Sequence, residues 1–324
     1  MQEVILGLDI AKNKFDGALL IEEKYYHKIF ENKEKGYKEL EEWIKKYEVE
    51  NLHVCMEATG SYWEALAEYL YKQGHKVSVA NPSAISAFAA SKMIRNKTDK
   101  EDAKIIADYC LSHKPIEWKP SPKEIKDLQA LLRRLESLKN LQQEEKNRLE
   151  SAPEQEQVRK SLQKSIEFFE KEIKLIEKLI ESHVDENPKL KEDKDLLTSI
   201  PGIGIITAIN ILAELVNLNN YTDARQVAAY AGLTPRHFRS GSSINIKPKL
   251  SKIGNSRLRR VLYFPAVSAK QHNPILKSFA GRLSSKGKHS MVILGALMRK
   301  LLHIAFGVLR SRQPFDPSFL SFSQ

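Results

Sequence analysis

The stretch Val4-Ile5-Leu6-Gly7-Leu8-Asp9-Ile10-Ala11 sets a carboxylate inside one of the most apolar runs of the chain. A run this short and this β-branched reads as a central strand covered on both faces. An isolated ionised carboxylate in such a place costs several kcal/mol unless a cation or donor compensates it. Asp9 therefore needs a partner.

Working outward, Glu57 ends a second apolar run, Leu52-His53-Val54-Cys55-Met56, and is followed by the turn Ala58-Thr59-Gly60-Ser61. It is expected at the carboxyl end of a strand. Two more acids lie in Lys97-Thr98-Asp99-Lys100-Glu101-Asp102-Ala103, where Thr98 and Glu101 have the spacing of a capping box. With Thr98 as N-cap, Asp99 sits in the first helical turn and Asp102 one turn further on the same face. That stripe continues through Ile105, Ile106 and Tyr109, so both acids are expected to face the core rather than solvent.

Two acids from strands and two from one helical turn are the ingredients of a two-Mg²⁺ site for phosphodiester chemistry. Hard divalent cations take oxygen ligands, and a metal pair about 3.5 to 4 Å apart stabilises both the attacking and the leaving oxygen. Singly, each acid has a plainer use. Asp99 complements a helix dipole, Asp9 opens the turn before Phe15, and Glu57 caps a helix starting near Ser61. All three plain uses together are the less economical reading. Asp108 and Glu101 read as surface acids.

The formal net charge is +11 over 324 residues, enough chain for two domains with cores. Its distribution says more than its total. From Ala224 to Phe315 there are 18 Lys and Arg and no Asp or Glu, so the remainder sums to −7. A basic half of this kind is the electrostatic footprint of a nucleic-acid binder. Cys55 and Cys110, the only cysteines, lie in apolar segments and exclude a disulfide framework or a cysteine metal pair. Arg299, Lys300 and His303 interrupt the apolar stretch from Met291 to Leu309, which is therefore expected to be too polar and too short to span a bilayer. With no charged-then-apolar leader at the start, the expected location is the cytoplasm.

Strands are expected at Val4 to Ala11, Phe15 to Glu22, Tyr25 to Phe30, Leu52 to Met56 and Val77 to Ala80. Helices are expected from Lys35 to Tyr47, Ser61 to Gln73, Pro82 to Met93 and Asp99 to Ser112. Three strands joined by short turns, followed by helical crossovers, make a mixed sheet in the order of a ribonuclease H-like fold. From about Pro122 to Leu190, apolar positions at three- and four-residue steps describe two long amphipathic helices broken around Ser151-Ala152-Pro153. They form either a projecting or dimerising coiled-coil arm or plain bundle helices. Further on, Ile200-Pro201-Gly202-Ile203-Gly204 reads either as a helix-hairpin-helix that grips phosphate through backbone amides or as a tight helical corner.

The stretch Tyr230 to Ser243 reads as a polar, basic, glycine-containing loop leading to Lys247, Lys249, Lys252 and a helix from Arg257. Arg236, Arg239, Arg257 and Arg260 suit bidentate phosphate contacts. Among these cations Ser240 is either a hydroxyl near a phosphodiester or an ordinary turn serine.

Taken in order, Gly7-Leu8-Asp9-Ile10-Ala11-Lys12, Met56-Glu57-Ala58-Thr59-Gly60, Lys97-Thr98-Asp99-Lys100-Glu101-Asp102-Ala103, Pro201-Gly202-Ile203-Gly204, Ala231-Gly232-Leu233-Thr234-Pro235 and Ser251-Lys252-Ile253-Gly254-Asn255 resemble the DEDD insertion-sequence transposases. That family includes pilin-gene inverting recombinases and bridge-RNA-guided recombinases. The resemblance spans essentially the whole chain. It implies that the acidic, metal-binding quartet is Asp9, Glu57, Asp99 and Asp102, and that the catalytic serine is Ser240 before Gly241, with Ser242 and Ser243 close by.

The implied architecture is a RuvC-like α/β nuclease domain over 1–118, a coiled-coil arm over 119–190 and a mainly α-helical transposase domain over 191–324. Implied cofactors are two Mg²⁺ ions per site. Implied partners are donor and target DNA, a noncoding bridge RNA encoded beside the gene, and further copies of the chain, whose acids and serine form a composite site. Lys12, Arg236, Arg239, Lys247, Lys249, Lys252, Arg257 and Arg260 are the expected nucleic-acid contacts. Two rival classes share parts of this constellation: a junction nuclease in which water attacks, and a binding protein whose acids are structural.

Overall fold

The computed structural model describes residues 4–49, 51–58, 60–93, 98–216, 218, 221–240 and 244–320, with the backbone alone at 237–240, 244–248, 319 and 320. The chain divides into two compact units, Met1–Pro120 and Ser121–Gln324.

The first unit is a five-stranded sheet among the described residues, ordered β3-β2-β1-β4-β5. Its strands are β1 (Val4–Ile10), β2 (Lys14–Ile21), β3 (Lys24–Glu31), β4 (Leu52–Glu57) and β5 (Lys76–Ala80). The tight turn Ala11 to Lys14, closed by a 2.9 Å amide-to-carbonyl bond, makes β1 and β2 antiparallel, with Asp9 opposite Asp16. Strand β4 runs parallel to β1, pairing Leu8 with Met56, and β5 extends the parallel side. Helices α1 (Glu34–Lys45), α2 (Glu64–Lys72), α3 (Pro82–Ser91) and α4 (Asp99–His113) make the connections. The expected elements are all present, with α2 starting three residues later than its sequence suggests.

Side chains alternate across a strand, and the two faces are filled differently. Leu6, Leu8, Phe15, Leu19, Val54 and Met56 share a core with Leu40 and Trp43 of α1 and Leu66 and Leu70 of α2. Ile5, Leu20 and Cys55 pack instead with Ile85 of α3 and Ile105, Ile106, Ala107 and Cys110 of α4. Parity then places Gly7, Asp9, Asp16 and Glu57 on the α4 face.

Gly7 sets how close α4 comes. A methyl group there would lie 2.2 Å from the Ala103 carbonyl oxygen and 2.5 Å from the Ala107 nitrogen, so strand and helix meet backbone to backbone. Ala103 and Ala107, both buried, are the small residues that complete the contact.

The second unit begins with α5 (Lys123–Glu150) and α6 (Glu156–Asp185), which pack along one another through Leu128, Leu135, Leu138, Ile173 and Ile180. Leu190, Ile209 and Ala213 join the same core, so the helical pair is continuous with the rest of the unit. Phe168, Leu175 and Leu179 of α6 are about half exposed. Then come α7 (Pro188–Thr198), the Pro-Gly turn, α8 (Ile205–Glu214), α9 (Ala224–Tyr230), a hairpin of β6 (Pro235–Ser240) and β7 (Ile244–Leu250), and α10 (Ser256–Val261). The chain closes with α11 (Tyr263–His272), α12 (Pro274–Ser285), α13 (Ser290–Ser311) and a 3₁₀ turn at Pro317–Leu320.

Two expectations change here. Within the stretch expected as a basic loop, Pro235–Ser240 is a strand that pairs antiparallel with Ile244–Leu250, where Ile244 and Ile246 alternate with polar residues in a way that suits the ladder. Helix α13 is long and apolar enough to cross a membrane, despite its interrupting charges. Its apolar side chains, including Leu297, Leu301, Leu302 and Ala305, lie instead in the core of the second unit.

We expect Gly7→Ala to cost about 1 to 3 kcal/mol by overpacking, since backbone rather than a flexible side chain must move. Urea denaturation checks this; an unchanged midpoint would contradict the backbone contact.

Candidate functional site

Three elements carry the four acids, and those of β1 and β4 lie on the sheet face that α4 covers. Asp9 lies one residue before the end of β1, and Glu57 is the last residue of β4, the neighbouring parallel strand. Asp99 opens α4, whose N-cap Thr98 accepts a 3.2 Å hydrogen bond from the Glu101 amide. Asp102 is one turn along, and the next residue, Ala103, is the one whose carbonyl faces Gly7. The cap and the Gly7 contact thus fix where the two helical acids stand.

Asp9 carries the electrostatic signature of the cluster. Its carboxyl is pushed up to about 6, first by burial and then by the charges of Asp102, Asp99, Glu57 and Asp16. Each of the other three expected acids is therefore near enough to act on the charge of Asp9. One expectation is corrected: Asp99 does not face the core, since its side chain is 58 % exposed. It is the first residue of the helix, and its charge is open to solvent. Asp108 is held by Tyr25 and Lys92, and Glu101 by Lys104 at 2.7 Å, so neither acid set aside from the sequence is tied into the cluster.

Three neighbours escape a reading of the sequence alone. Asp16 is buried and bonded to His27 Nε2 at 2.8 Å and to Lys14 Nζ at 3.2 Å. Lys14 Nζ also donates to Asp99 Oδ2 at 2.8 Å, which holds the Asp99 carboxyl below its ordinary value. The available signal was the hairpin: a turn over Ala11 to Lys14 puts Asp16 opposite Asp9.

Carboxylate oxygens from adjacent strand ends and a helix are the donor set that a hard divalent cation takes, and the charge at Asp9 is incompletely compensated. As they stand, no three His, Cys, Asp or Glu side chains among the described residues are gathered to hold a metal ion. The Asp99 carboxylate is engaged by Lys14, so closing a ligand set requires it to exchange that partner. The donor chemistry fits, and the arrangement is open. A cavity of about 780 Å³ beside Glu22, Glu23 and Lys92 includes none of the four acids.

In the second unit Ser240 ends β6, with its backbone opposite Ile244. Gly241, Ser242 and Ser243 lie outside the described residues, as do the side chains of Ser240, Arg239 and Lys247. Arg236, Lys249 and Lys252 are exposed on and after the hairpin. Arg257 and Arg260 are not free, because both pair with Glu136 of α5. At the Pro-Gly corner Gly202 takes φ +104° against Ala269 of α11, while Gly204 opens α8 with nothing over it. In the first unit Lys12 is exposed in the β1–β2 turn.

An acid-lined α/β unit and a basic helical unit in one chain define a protein that works on nucleic acid. Comparison with known families specifies it further. A transposase family model, the DEDD type of IS110 elements, matches residues 6–155, and a second, the transposase IS116/IS110/IS902 family, matches 194–280. The pilin gene-inverting proteins of Moraxella bovis and Moraxella lacunata are each 37 % identical over 320 residues, 98 % of this chain and of theirs. A transposase for insertion element IS1328 of Yersinia enterocolitica is 33 % identical over 143 residues, 42 % of this chain and 40 % of its own. Among solved structures, Thermus thermophilus RuvC in complex with a Holliday junction substrate matches at 11 % identity and a TM-score of 0.28, covering 35 % of this chain and 96 % of that one. The chain belongs to the IS110-type transposase family.

The charge at Asp9 has a measurable cost. A carboxyl raised from 3.8 to about 6 keeps its proton longer in the folded than in the unfolded chain. Stability from this group is thus full below pH 3.8, falls as pH rises to 6 and stays lost above it. We expect Asp9→Asn, unfolded with urea in EDTA, to exceed the parent by about 1 to 2 kcal/mol at pH 7.5, after allowance for water at this half-buried site. The gain should vanish near pH 4. Destabilisation at pH 7.5 would contradict the crowding of charge.

Proposed function

We propose that this transposase cuts and rejoins DNA strands using divalent metal held by Asp9, Glu57, Asp99 and Asp102 and a nucleophile, Ser240. The observation that carries the reading is the crowding of charge at Asp9, a carboxyl pushed up to about 6 among four other acids. A structural role for the acids would favour partners for Asp9; among the described residues the charges that act on it are like charges.

The sheet order β3-β2-β1-β4-β5, with acids at the ends of the two central strands and on the following helix, supports a ribonuclease H-like, RuvC-like first unit. Two Mg²⁺ ions, when bound, would supply charge to the scissile phosphate and to the attacking and leaving oxygens. Asp9 and Glu57 would hold their donors on rigid strand ends, and Asp99 and Asp102 would complete the set from the helix. The Ser240 hydroxyl gives up its proton and forms a new bond to phosphorus, while one deoxyribose oxygen leaves and is protonated. Attack by a hydroxyl of the second DNA end reverses the step and frees the serine. Bond energy is thereby conserved for rejoining, as a relative named for gene inversion would need.

Arg236 and Arg239 steady the extra charge of the transition state. Lys12, Lys247, Lys249 and Lys252 hold nucleic-acid backbone, and Arg257 and Arg260 would exchange Glu136 for phosphate. Sequence choice is left to a bridge RNA that pairs with donor and target DNA, with the protein reading backbone and shape. The half-exposed Phe168, Leu175 and Leu179 of α6 support homo-oligomer formation through the segment 119–190 as a coiled-coil arm. Segment 191–324 of one copy would contribute the serine that completes a composite site with the acids of segment 1–118 of another.

The test uses a mini-element carrying its flanking DNA, with adducts trapped at cleaved ends. Ser240→Ala should abolish both recombination and the protein–DNA adduct, and Asp102→Asn should reduce cleavage by at least about 100-fold with folding preserved. Cleavage by Ser240→Ala at the parent rate would replace the serine step with attack by water. Full activity of Asp102→Asn would leave the acids a structural role.

A further inference from the structure

Lys14 joins the acidic cluster to a part of the sheet that the reaction does not use. Its ammonium lies 2.8 Å from Asp99 Oδ2 and 3.2 Å from Asp16 Oδ2. These two carboxylates differ greatly in surroundings. The Asp16 side chain is 4 % exposed and fixed at its other oxygen by His27 at 2.8 Å. The Asp99 side chain is 58 % exposed.

The Asp99 contact is the shorter, but burial decides which is stronger. An ion pair open to water contributes about 0 to 1 kcal/mol, whereas a buried carboxylate left without its cation is strongly penalised. Lys14 is therefore anchored on Asp16 and only loosely engaged by Asp99. The backbone favours the same division, because Lys14 and Asp16 are two residues apart on β2 and share its α4 face.

We propose that Lys14 is the cluster's built-in counter-cation, which neutralises Asp99 until a divalent metal takes its place, and which thereby sets the metal affinity of the site. The proposal rests on the metal reading of Asp9, Glu57, Asp99 and Asp102. Lys14 is a positioning residue here: it holds Asp99 out of the ligand set, and entry of metal means exchange of one cation for another. Asp16 keeps the displaced ammonium in place, so the exchange is reversible.

The experiment titrates MnCl₂ into the full-length chain by calorimetry, without DNA, for the parent, Lys14→Met, Lys14→Arg and Asp9→Asn, with melting curves in EDTA as a check of folding. Lys14→Met should bind Mn²⁺ about two- to fivefold tighter than the parent, the size of an exposed ion pair. Lys14→Arg should return to the parent value. The Mn²⁺ concentration giving half-maximal DNA cleavage should shift the same way. Equal or weaker binding by Lys14→Met, alongside loss of binding in Asp9→Asn, would overturn the role of Lys14 and leave the metal site standing. Binding by Asp9→Asn as tight as the parent's would remove the metal reading itself. Should Lys14→Met melt at a much lower temperature, Lys14→Gln serves in its place with the same expected shift.

Discussion

The backbone contact between β1 and α4 is the constraint on which the rest depends. A glycine on the strand and two alanines on the helix let the elements approach to a distance that no side chain at Gly7 would allow. Asp9 is two residues beyond Gly7 on the same face, and Asp102 precedes Ala103 in the helix. The close approach therefore converts sequence neighbours of small residues into spatial neighbours of one another. Glu57 joins them through the parallel pairing of β4 with β1, without further devices. The placement of like charges is in this sense a by-product of packing small residues tightly.

That placement opposes folding locally. A half-buried carboxyl among four acids is a conflict between electrostatics and the apolar core below it. The surrounding packing tolerates it: both faces of the sheet are filled, with Trp43, Leu40 and Leu66 on one side and Ile105, Ile106 and Cys110 on the other. Natural sequences keep such conflicts where function needs them. Here Asp16 and Asp99 are partly relieved by Lys14 and His27, while Asp9 remains the crowded member.

Much of this was legible in the sequence because it obeys short-range rules. Apolar runs marked β1 and β4, Thr98 marked the start of α4, and the alternation of Leu52, Val54 and Met56 set the face on which Glu57 lies. Asp16 was not legible because its role depends on register: only the pairing of Asp9 with Asp16 makes it a member of the cluster. The exposure of Asp99 escaped for a related reason. A helical stripe gives direction around the axis but not how far a side chain in the first turn is covered. The hairpin of β6 and β7 was masked by its charge, since Arg236, Arg239, Lys247 and Lys249 obscure the alternation of Ile244 and Ile246. The pairing of Arg257 and Arg260 with Glu136 joins residues more than a hundred positions apart, beyond any local pattern.

The central claim is that charge crowded at the ends of β1 and β4 and the start of α4 is there to be neutralised by divalent cations. Anomalous diffraction from crystals of the full chain soaked in MnCl₂ addresses it most directly. The account predicts density within about 2.0 to 2.3 Å of carboxylate oxygens of Asp9 and of at least two of Glu57, Asp99 and Asp102, with Asp99 turned away from Lys14. Density confined to other acids, with Asp99 still on Lys14 at saturating Mn²⁺, would contradict it.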